Sequence, residues 1–286
     1  GLPVTVEGRL RSSKFTLPGN VSSQFISGLL FALPLLEGDS EIIITTPLES
    51  QSYVDLTLAA LKKYGIKVIN NNYKTFTVPG GQKYQCRNAV VEGDWSQAAF
   101  WLAAGCLNGN VICAGAKPAS LQGDRAVKDI LQAMGGKISA ADGGLLAEKS
   151  RLQGTVIDAA DCPDIIPVLT VAAAVAEGTT EIINAGRLRI KECDRLHAIS
   201  EELNKLGADI EEKAESLIVH GKPEGLRGGV VSAWNDHRIA MSMAVASIVC
   251  REPVIIEGSE SVKKSYPTFW QDFSCLDGKY EQGENL

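Results

Sequence analysis

The sequence contains a repeat of about 70 residues, and this repeat constrains the fold more than any other feature of the chain. Segments rich in Ala and Leu, with helical periodicity, begin at intervals of 70 to 72 residues, after Ser22, Asp94, Asp164 and Asp236. Glycines that follow a second helix recur at the same interval: Gly65, Gly135 and Gly207. Glycine is the usual residue just past a helix, where a left-handed backbone is needed. Because the helix starts and the glycines that end the second helices recur at the same interval, we expect the chain to be built from repeated supersecondary units.

Each repeat reads as strand, helix, strand, helix and then a pair of strands. In the first repeat the predicted elements are helix 21–36, strand 41–45, helix 52–63 and strands 66–69 and 75–78. Further helices are predicted at 96–107, 123–134, 165–176, 193–206, 239–249 and 266–275. The fourth repeat lacks its closing strand pair. The pattern therefore predicts an α/β fold of strand-helix-strand-helix-strand-strand units.

The first helix of the third repeat is apolar nearly all round, because residues 168–176 contain Val, Leu, Ala and almost nothing polar. A helix without a polar face is predicted to be buried. Helices enclosed by a ring of small sheets suit this pattern. A break near residues 82–89 predicts two domains, 1–88 and 89–286, and the polar tail 277–286 is predicted to be disordered.

Composition excludes several classes of function. The net charge is −6 and no long basic run occurs, which argues against a partner of nucleic acid and against a membrane surface. The seven cysteines form no CxxC pair, which indicates a reducing compartment and predicts a cytoplasmic protein. The three histidines lack ligand spacing, so we expect no structural zinc site.

The heptad Arg189-Ile190-Lys191-Glu192-Cys193-Asp194-Arg195 combines cations and carboxylates directly before a predicted helix. Charges at this position lie at the positive end of a helix dipole, where an anionic substrate is favoured. Lys191 and Arg195 share a helix face if the helix has begun, and Glu192 can pair with Arg195. The alternative is a solvated helix start with surface salt bridges, which explains most charge clusters of this kind.

Hydroxyl and amide side chains gather at two strand-to-helix turns of the first repeat. Ser22, Ser23 and Gln24 stand at one helix start, and Ser50 and Tyr53 stand at the next. Backbone N–H groups at helix starts, together with hydroxyls, form a neutral cradle for a phosphate. A simple helix cap by one Ser remains the alternative.

Carboxylates occupy the corresponding turns of later repeats. Asp164 follows Pro163 and opens the buried helix, either as an N-cap or as a general base for a hydroxyl. Asp94 holds the equivalent place one repeat earlier and is interpreted as a cap or hinge residue.

In the fourth repeat, cations occupy the first turn of a predicted helix, a position where acidic residues are usually preferred. In Asn235-Asp236-His237-Arg238 the candidate cap is Asp236, so His237 and Arg238 fall in the first helical turn. Lys263 and Lys264 repeat this inconsistency before the last predicted helix. Cations at a helix start are unfavourable unless an anion neutralises them, and such local conflicts point to function.

These motifs, taken in order, resemble the 5-enolpyruvylshikimate-3-phosphate synthase (3-phosphoshikimate 1-carboxyvinyltransferase) family over essentially the whole chain. The segments that carry the resemblance are 19–25, 189–195, 235–238 and 264–267. The resemblance implies repeats that form inside-out α/β barrel-like domains, the enolpyruvyl transferase fold, with the active site in the cleft between domains. It also implies transfer of the enolpyruvyl group of phosphoenolpyruvate to the 5-hydroxyl of shikimate 3-phosphate, without a metal or cofactor, in aromatic amino acid biosynthesis.

The resemblance further implies roles for individual residues. Shikimate 3-phosphate would be bound by Ser22, Ser23, Gln24, Ser50, Tyr53, Asp164 and Lys191. Phosphoenolpyruvate would be bound by Arg195, His237, Arg238 and Lys264. Asp164 would accept the hydrogen of the attacking hydroxyl, Lys191 would support proton transfer, and Glu192 would exchange the proton at the methylene carbon of phosphoenolpyruvate.

The chain departs from the family pattern in two respects. Cys193 stands where Thr or Ser is common, and it is given no role. Roughly the first third of the enzyme is absent from the resemblance, including a Lys and Arg residues for phosphoenolpyruvate. We therefore expect this chain to be inactive alone and to require the missing N-terminal portion as a partner in trans.

Three other functions are consistent with parts of the pattern. The related UDP-N-acetylglucosamine enolpyruvyl transferases share the chemistry, but the Ser-Ser-Gln cradle and the Lys-Glu-x-Asp-Arg order favour shikimate phosphate. A non-catalytic ligand-binding fragment would share every binding residue, and only turnover distinguishes it. Purely structural repeats would not explain cations at helix starts.

Overall fold

The computed structural model describes residues 3–281, and the chain divides into two compact units. Unit 1 comprises Gly1–Val91 with Leu121–Gly123, and unit 2 comprises Glu92–Ser120 with Asp124–Leu286. None of the helices within residues 3–281 combines the length and apolar character needed to cross a membrane.

Unit 1 is a single strand-helix-strand-helix-strand-strand repeat. Its elements are β1 (Lys14–Leu17), α1 (Ser23–Ala32), β2 (Ser40–Ile44), α2 (Gln51–Lys63), β3 (Ile69–Asn71) and β4 (Thr75–Val78). The strands are ordered β1-β2-β4-β3, with β1 parallel to β2 and the hairpin antiparallel. The core lies between this sheet and the two helices, where Ile26, Leu30, Ile42, Val54 and Phe76 are fully buried.

Unit 2 consists of three further parts that keep this order of elements in full or in part. Its first part contains α3 (Trp95–Asn108), β5 (Asn110–Ala114), α4 (Ala126–Ala133), β6 (Lys137–Ala141) and β7 (Gly144–Glu148). Its middle part contains β8 (Val156–Asp158), α5 (Ile166–Ala174), β9 (Thr179–Ile183), α6 (Arg195–Lys205), β10 (Ile210–Glu212) and β11 (Leu217–His220). Its last part contains β12 (Gly229–Ser232), α7 (His237–Ser247), β13 (Val254–Glu257) and α8 (Phe269–Cys275).

The sheets show which parts of the repeat are retained. The order β8-β9-β11-β10 has the same topology as the sheet of unit 1, with a parallel pair followed by an antiparallel hairpin. Strands β12 and β13 keep the parallel pair without a hairpin among the described residues, as the sequence predicted. The sheet β5-β7-β6 has no parallel first strand in the described chain, so the strand expected before α3 is wrong. Residues 79–94 contain no strand, and their backbone groups bond loop partners, as the Gly81 amide does with the Leu36 carbonyl and the Gly93 amide with the Gly115 carbonyl.

Helices form the interior of unit 2 and sheets flank them, which confirms the inside-out arrangement. Every residue of α5 is buried, because its sequence offers no polar face to water. It packs against α3, α6 and α7, while the sheets lie against the outer sides of these helices. The glycines that were predicted to end helices have positive φ angles of 83°, 90° and 93° at Gly65, Gly135 and Gly207, which explains the choice of residue.

Several predicted boundaries are wrong by one turn or less. A 3₁₀ turn, Pro163–Ile165, precedes α5, so that helix begins at Ile166. Helix α6 begins at Arg195 instead of 193, because the Asp194 carboxylate accepts the His197 amide and caps it. Helix α8 begins at Phe269, after Pro267. Residues 277–281 of the predicted disordered tail contain no helix or strand, and 282–286 lie outside the described residues.

Candidate active site

In unit 1, the turns that follow β1 and β2 interlock at one end of the sheet. The Thr46 hydroxyl accepts the amides of Gly19 (2.9 Å) and Asn20 (3.2 Å), and the Glu49 amide donates to the Gly19 carbonyl. A Cβ on Gly19 would lie 2.8 Å from Ile44, Thr46 and Pro47 atoms, so only glycine fits. The carboxyl ends of parallel strands therefore bring the starts of α1 and α2 together, at the usual location of ligand sites in α/β folds.

Ser22, Ser23 and Gln24 form the start of α1. Ser22 is the N-cap, and its hydroxyl accepts the Gln24 amide at 3.2 Å. Ser23 is 8% exposed and Gln24 is exposed. The interpretation of this stretch as a helix cap is thus confirmed for Ser22. Phosphate binding by Ser22 and Ser23 stays a prediction.

Ser50 and Tyr53 form the start of α2, which packs beside α1 through a 2.7 Å contact between the Ser27 and Thr57 hydroxyls. Ser50 is 3% exposed and has a left-handed backbone, with φ 52° and ψ 46°. A non-glycine residue in this region is strained by about 1–3 kcal/mol, and such strain concentrates at functional sites. Because the turns before α1 and α2 bond each other, all five predicted residues of this cradle lie at the same end of unit 1.

In unit 2, Arg195 is the centre of the candidate site. Its guanidinium donates from Nε to Asp236 Oδ2 (2.8 Å), from Nη1 to Asp164 Oδ1 (2.7 Å) and from Nη2 to Glu192 Oε2 (2.6 Å). The Arg195 side chain is 1% exposed, whereas that of Glu192 is 43% exposed. The predicted pair of Glu192 with Arg195 is confirmed.

Asp164 joins Arg195 to two further cations. Lys191 Nζ lies 3.4 Å from its Oδ1, and Arg238 Nη2 lies 3.8 Å from its Oδ2. Burial by itself raises the pKa of the Asp164 carboxyl, but Arg238, Lys191 and Arg195 together hold that pKa well below its usual range. The interpretation of Asp164 as a helix cap is wrong, since it lies inside the 3₁₀ turn and its carboxylate faces these cations.

The heptad 189–195 divides into two groups that point in different directions. Lys191, Glu192 and Arg195 converge near Asp164, as described above. Arg189 instead bonds Asp194 and Glu212, both at 2.8 Å, and the carbonyls of residues 213 and 214. Lys191 precedes α6, so the predicted shared helix face is wrong, and Asp164 is what brings Lys191 close to Arg195.

The start of α7 supplies a further cation, Arg238, and the imidazole of His237. Asp236 is the N-cap and accepts the Arg238 amide at 2.7 Å, which confirms the prediction. Arg238 is 7% exposed and its guanidinium donates to the hydroxyl of Ser96 (3.0 Å) and to its carbonyl. Burial and then the charge of Arg238 lower the pKa of His237 below its ordinary 6.5, so the neutral imidazole prevails at pH 7. Its Nδ1 has no hydrogen-bond partner among the described residues.

Lys264 lies beside the same turn, and its ammonium donates to the Asn235 carbonyl. Lys263 and Lys264 end a 3₁₀ helix, Ser259–Lys264. The prediction that they begin a helix is therefore wrong, and cations are favourable at such a C-terminal end. Gln97 Nε2 donates to the neighbouring Ser265 hydroxyl at 3.2 Å, which ties this turn to the start of α3.

These contacts bring the N-termini of α3, α5, α6 and α7 to one place. Ser96 is the second residue of α3, Arg195 the first of α6 and Arg238 the second of α7, while Asp164 lies just before α5. Each helix start carries about half a positive charge from its backbone. The convergence favours an anion at this place, and the carboxylates partly offset the positive charge. No group of three or more His, Cys, Asp or Glu side chains within residues 3–281 is arranged to hold a metal ion.

Cys193 contributes no nucleophile to this site. Its thiol lies 3.7 Å from Asp236 Oδ2, to which it donates. Burial, followed by the charge of Asp236, raises the pKa of the Cys193 thiol to about 12, so it stays protonated at neutral pH.

Sequence reasoning missed Ser96, Glu202 and Trp234. Ser96 stands two residues after the cap Asp94, the place that Arg238 holds after Asp236, so the repeat itself could have indicated it. Asp94 accepts the Ser96 amide and hydroxyl, which confirms it as a cap. Glu202 lies seven residues after Arg195 on the inner side of α6, and a carboxylate on an apolar helix face was the available signal.

Comparison with known proteins identifies the relatives of this chain. The family profile described as EPSP synthase (3-phosphoshikimate 1-carboxyvinyltransferase) matches residues 1–273. The 3-phosphoshikimate 1-carboxyvinyltransferase of Clostridium acetobutylicum is 55% identical over 277 residues, which cover 97% of this chain and 64% of the relative. That of Clostridium novyi is 54% identical over 277 residues, with 97% and 63% covered.

Solved structures agree with the sequence comparison. An EPSP synthase from Acinetobacter baumannii superposes with a TM-score of 0.76 at 28% identity, over 93% of this chain and 63% of that chain. The fold of this chain is therefore the enolpyruvyl transferase fold. The chain spans about 64% of the length of the curated relatives that it matches.

Proposed function

The chain belongs to the EPSP synthase (3-phosphoshikimate 1-carboxyvinyltransferase) family, and from this premise we propose that the protein transfers the enolpyruvyl group of phosphoenolpyruvate to the 5-hydroxyl of shikimate 3-phosphate, releasing phosphate. The observation that carries this proposal is the network centred on Arg195, at the meeting point of several helix N-termini. It combines cations for a small dianion with carboxylates that can move protons. The reaction would belong to the shikimate pathway of aromatic amino acid biosynthesis, and we assign it to the cytoplasm, in line with the seven free cysteines.

Phosphoenolpyruvate would be held by Arg195, His237, Arg238 and Lys264. Two buried atoms support this assignment, because Arg238 Nε and His237 Nδ1 have no hydrogen-bond partner within residues 3–281. An entering carboxylate or phosphate would bond them and offset the local positive charge. Arg195 uses three of its five N–H groups on carboxylates, so the ligand would bond the remaining N–H groups beside Glu192, the most exposed of the three carboxylates.

Asp164 would accept the proton of the attacking 5-hydroxyl. Its pKa is held too low for a good base while Arg238, Lys191 and Arg195 face it alone. The negative charges of a bound substrate would offset these cations and raise the Asp164 pKa toward its ordinary value. Lys191, 3.4 Å from Asp164, would contact shikimate 3-phosphate and support the transfer.

Glu192 would exchange the proton at the methylene carbon. In the addition step the 5-oxygen bonds the central carbon of phosphoenolpyruvate, while a proton from Glu192 converts the methylene to a methyl group. In the second step Glu192 takes a proton back from that methyl group as the carbon–oxygen bond to phosphate breaks, and the proton held by Asp164 leaves with the departing phosphate as hydrogen phosphate. Its side chain, 43% exposed and bonded through one oxygen to Arg195, leaves the other oxygen accessible for this exchange.

The phosphate of shikimate 3-phosphate would be bound by Ser22, Ser23 and Ser50, with Gln24 and Tyr53 beside the ring. The support is the placement of these side chains at two adjacent helix starts in unit 1. Helix starts with neutral donors bind phosphate through backbone N–H groups and hydroxyls. The curated relatives are named for 3-phosphoshikimate, so the UDP-N-acetylglucosamine rival is not favoured.

The test is turnover by the chain mixed with the portion of the Clostridium acetobutylicum relative that it does not match. Phosphate release should require both phosphoenolpyruvate and shikimate 3-phosphate, and UDP-N-acetylglucosamine should not replace the second. The chain alone is assayed in parallel, with calorimetry for each substrate. Binding without turnover in the mixture would favour a non-catalytic ligand-binding protein, and absence of both would refute the proposal.

A further inference from the structure

The turn before α7 has an unusual backbone. Trp234 and Asn235 are consecutive residues with left-handed φ angles of 53° and 50°. Two such non-glycine residues in a row are unfavourable, and they persist only where their surroundings fix them. The turn leads directly into Asp236, His237 and Arg238, so its conformation sets the direction of the groups assigned to phosphoenolpyruvate.

Glu202 on α6 holds the first half of this turn. Its side chain is fully buried, and its Oε1 accepts the Trp234 indole N–H at 2.6 Å. Its Oε2 accepts the Ser232 amide at 3.0 Å, and Lys205 supplies a neutralising ammonium at 2.9 Å. The Ser232 hydroxyl in turn accepts the Trp234 amide, at 3.1 Å. A buried carboxylate is thus fully bonded, and its two oxygens fix adjacent parts of the turn.

Arg195 on the same helix holds the second half. Its Nε donates to Asp236 Oδ2 at 2.8 Å. Arg195 and Glu202 are seven residues apart, which is two helical turns or about 10.5 Å along the axis, and they share one face of α6. One rigid helix therefore holds the segment 232–236 at both ends and keeps the left-handed residues between them.

We propose that Glu202 is a positioning residue: through Trp234 and Ser232 it keeps the 232–236 turn in its left-handed form and so aims His237 and Arg238 at the anion. The proposal rests on the proposed function for the identity of that anion. Lys264, which donates to the Asn235 carbonyl, depends on the same turn. Hence most of the cations of this subsite take their placement from Glu202.

The choice of a carboxylate supports positioning over simple packing. Burying a charged group is costly, and apolar side chains of similar volume usually stabilise a core as well or better. Trp234 also contacts the His197 ring edge-on, with centroids 5.5 Å apart, so its apolar surface is packed without Glu202. What only Glu202 supplies is a pair of directed acceptors for the backbone and the indole of the turn.

The test compares Glu202→Gln, Trp234→Phe and the double variant with Glu211→Gln as control. Gln at 202 turns one acceptor into a donor, so one of its two bonds to the turn is lost. Phe at 234 keeps the ring and removes only the N–H. Glu211 is exposed and bonds Lys213 and His220, away from the turn. Binding of phosphoenolpyruvate and of inorganic phosphate is measured by calorimetry, and hydrogen exchange is followed at residues 234–238.

Each single variant should bind both anions roughly tenfold more weakly, the scale of one hydrogen bond to a charged group. The double variant should lose less affinity than the sum of the two single losses, because Glu202 and Trp234 act on the same turn. Exchange should accelerate at 235–238 while the interiors of α6 and α7 stay protected, a pattern that a general loss of stability would not give. The control should match the wild type.

Wild-type affinity in both Glu202→Gln and Trp234→Phe would overturn the proposal, and so would uniformly faster exchange throughout unit 2. If the wild-type chain binds neither phosphoenolpyruvate nor phosphate, the proposed function fails at this site. In that case the exchange rates at 235–238 alone decide whether Glu202 holds the turn.

Discussion

The cradle of unit 1, residues 22–24 with Ser50 and Tyr53, and the cluster around Arg195 in unit 2 use the same local architecture with opposite chemistry. Both lie in turns that precede helices and in the first residues of those helices. The cradle contains hydroxyl and amide groups and has no charge among its predicted ligands. The cluster places Arg195, Asp164 and Asp236 in direct ionic contact, with the arginine almost wholly buried.

The difference shows how burial determines whether the polar side chains at a helix start need counter-ions. A neutral hydroxyl is satisfied by water or backbone and needs no counter-ion when the site is empty. A buried charge must be paired at all times, because an unpaired one costs several kcal/mol. The cluster is therefore coupled to the stability of its unit, whereas in the cradle only the cap Ser22 should affect stability and a hydroxyl such as that of Ser23 should affect ligand affinity alone.

The largest effect is expected for Glu192, the exposed member of the cluster. In the chain mixed with the unmatched portion of its relative, Glu192→Gln should reduce turnover by roughly 10²–10⁴-fold, because the amide cannot exchange a proton. Binding of both substrates should survive, since Gln still accepts a bond from Arg195. Turnover close to wild type, measured as phosphate release, would remove Glu192 from the mechanism.

Next in size is the loss of stability on removing Arg195. Arg195→Gln leaves the buried Asp236 without its main counter-ion and removes one of the three cations that face Asp164, so it should destabilise unit 2 by about 3–5 kcal/mol. All four tryptophans of the sequence lie in unit 2, so their fluorescence in a urea titration reports its unfolding. The matched control is Arg151→Gln, whose 77% exposed side chain should contribute less than about 1 kcal/mol. Equal midpoints for the two variants would show that the cluster is not coupled to stability.

Most of the fold could be predicted from sequence, because the repeat of helix starts and glycines reports the topology directly. Gly65, Gly135 and Gly207 succeeded for a local reason, the left-handed backbone at each position. The strand before α3 failed because pairing is decided by partners that are distant in sequence. Helix α6 was placed two residues early, since the cap is a matter of side-chain geometry at Asp194.

The candidate site was predicted as a set of residues and not as a network. Charges within a single motif could be seen to pair, as Glu192 and Arg195 do. For Asp164 the residues alone left a cap and a general base as alternatives, because its contacts with Lys191 and Arg238 join segments separated by up to 74 residues. Glu202 escaped notice because its partners lie 30 and 32 residues away, in a turn whose left-handed form no motif encodes.

The stability of the cluster around Arg195 should depend on pH in the acid range, whereas that of the cradle should not. The folded-state pKa values of Asp164 and Asp236 lie below the ordinary 3.8, so the unfolded chain takes up protons first as the pH falls. Their stabilisation is present above about pH 4 and is lost as the pH drops through the folded values. His237, with a pKa lowered from 6.5, has the same sign and acts earlier.

Unit 2 should therefore lose stability steadily from pH 7 to pH 3, as measured by tryptophan fluorescence in urea. His197 acts in the opposite direction, because Glu212 raises its pKa, but its 46% exposed side chain makes the contribution small. His237→Gln should flatten the curve between pH 7 and pH 5 only. The protection of α1 amides, taken relative to their intrinsic exchange rate at each pH, should change little over that range, since the cradle contains no carboxylate or imidazole. A stability of unit 2 that is constant down to pH 4 would contradict this prediction.

The smallest effect is expected in the cradle, at Ser23. Its hydroxyl would donate one hydrogen bond to the substrate phosphate, so Ser23→Ala should weaken binding of shikimate 3-phosphate by about 1–2 kcal/mol. Ser13→Ala is the matched control, because Ser13 is exposed and lies just before the opposite end of β1. Stability should be unchanged in both variants, since Ser22, and not Ser23, caps α1. Calorimetry decides the matter: equal affinities in the two variants would mean that Ser23 has no part in phosphate binding, and that the Ser-Ser-Gln stretch serves only as the start of a helix.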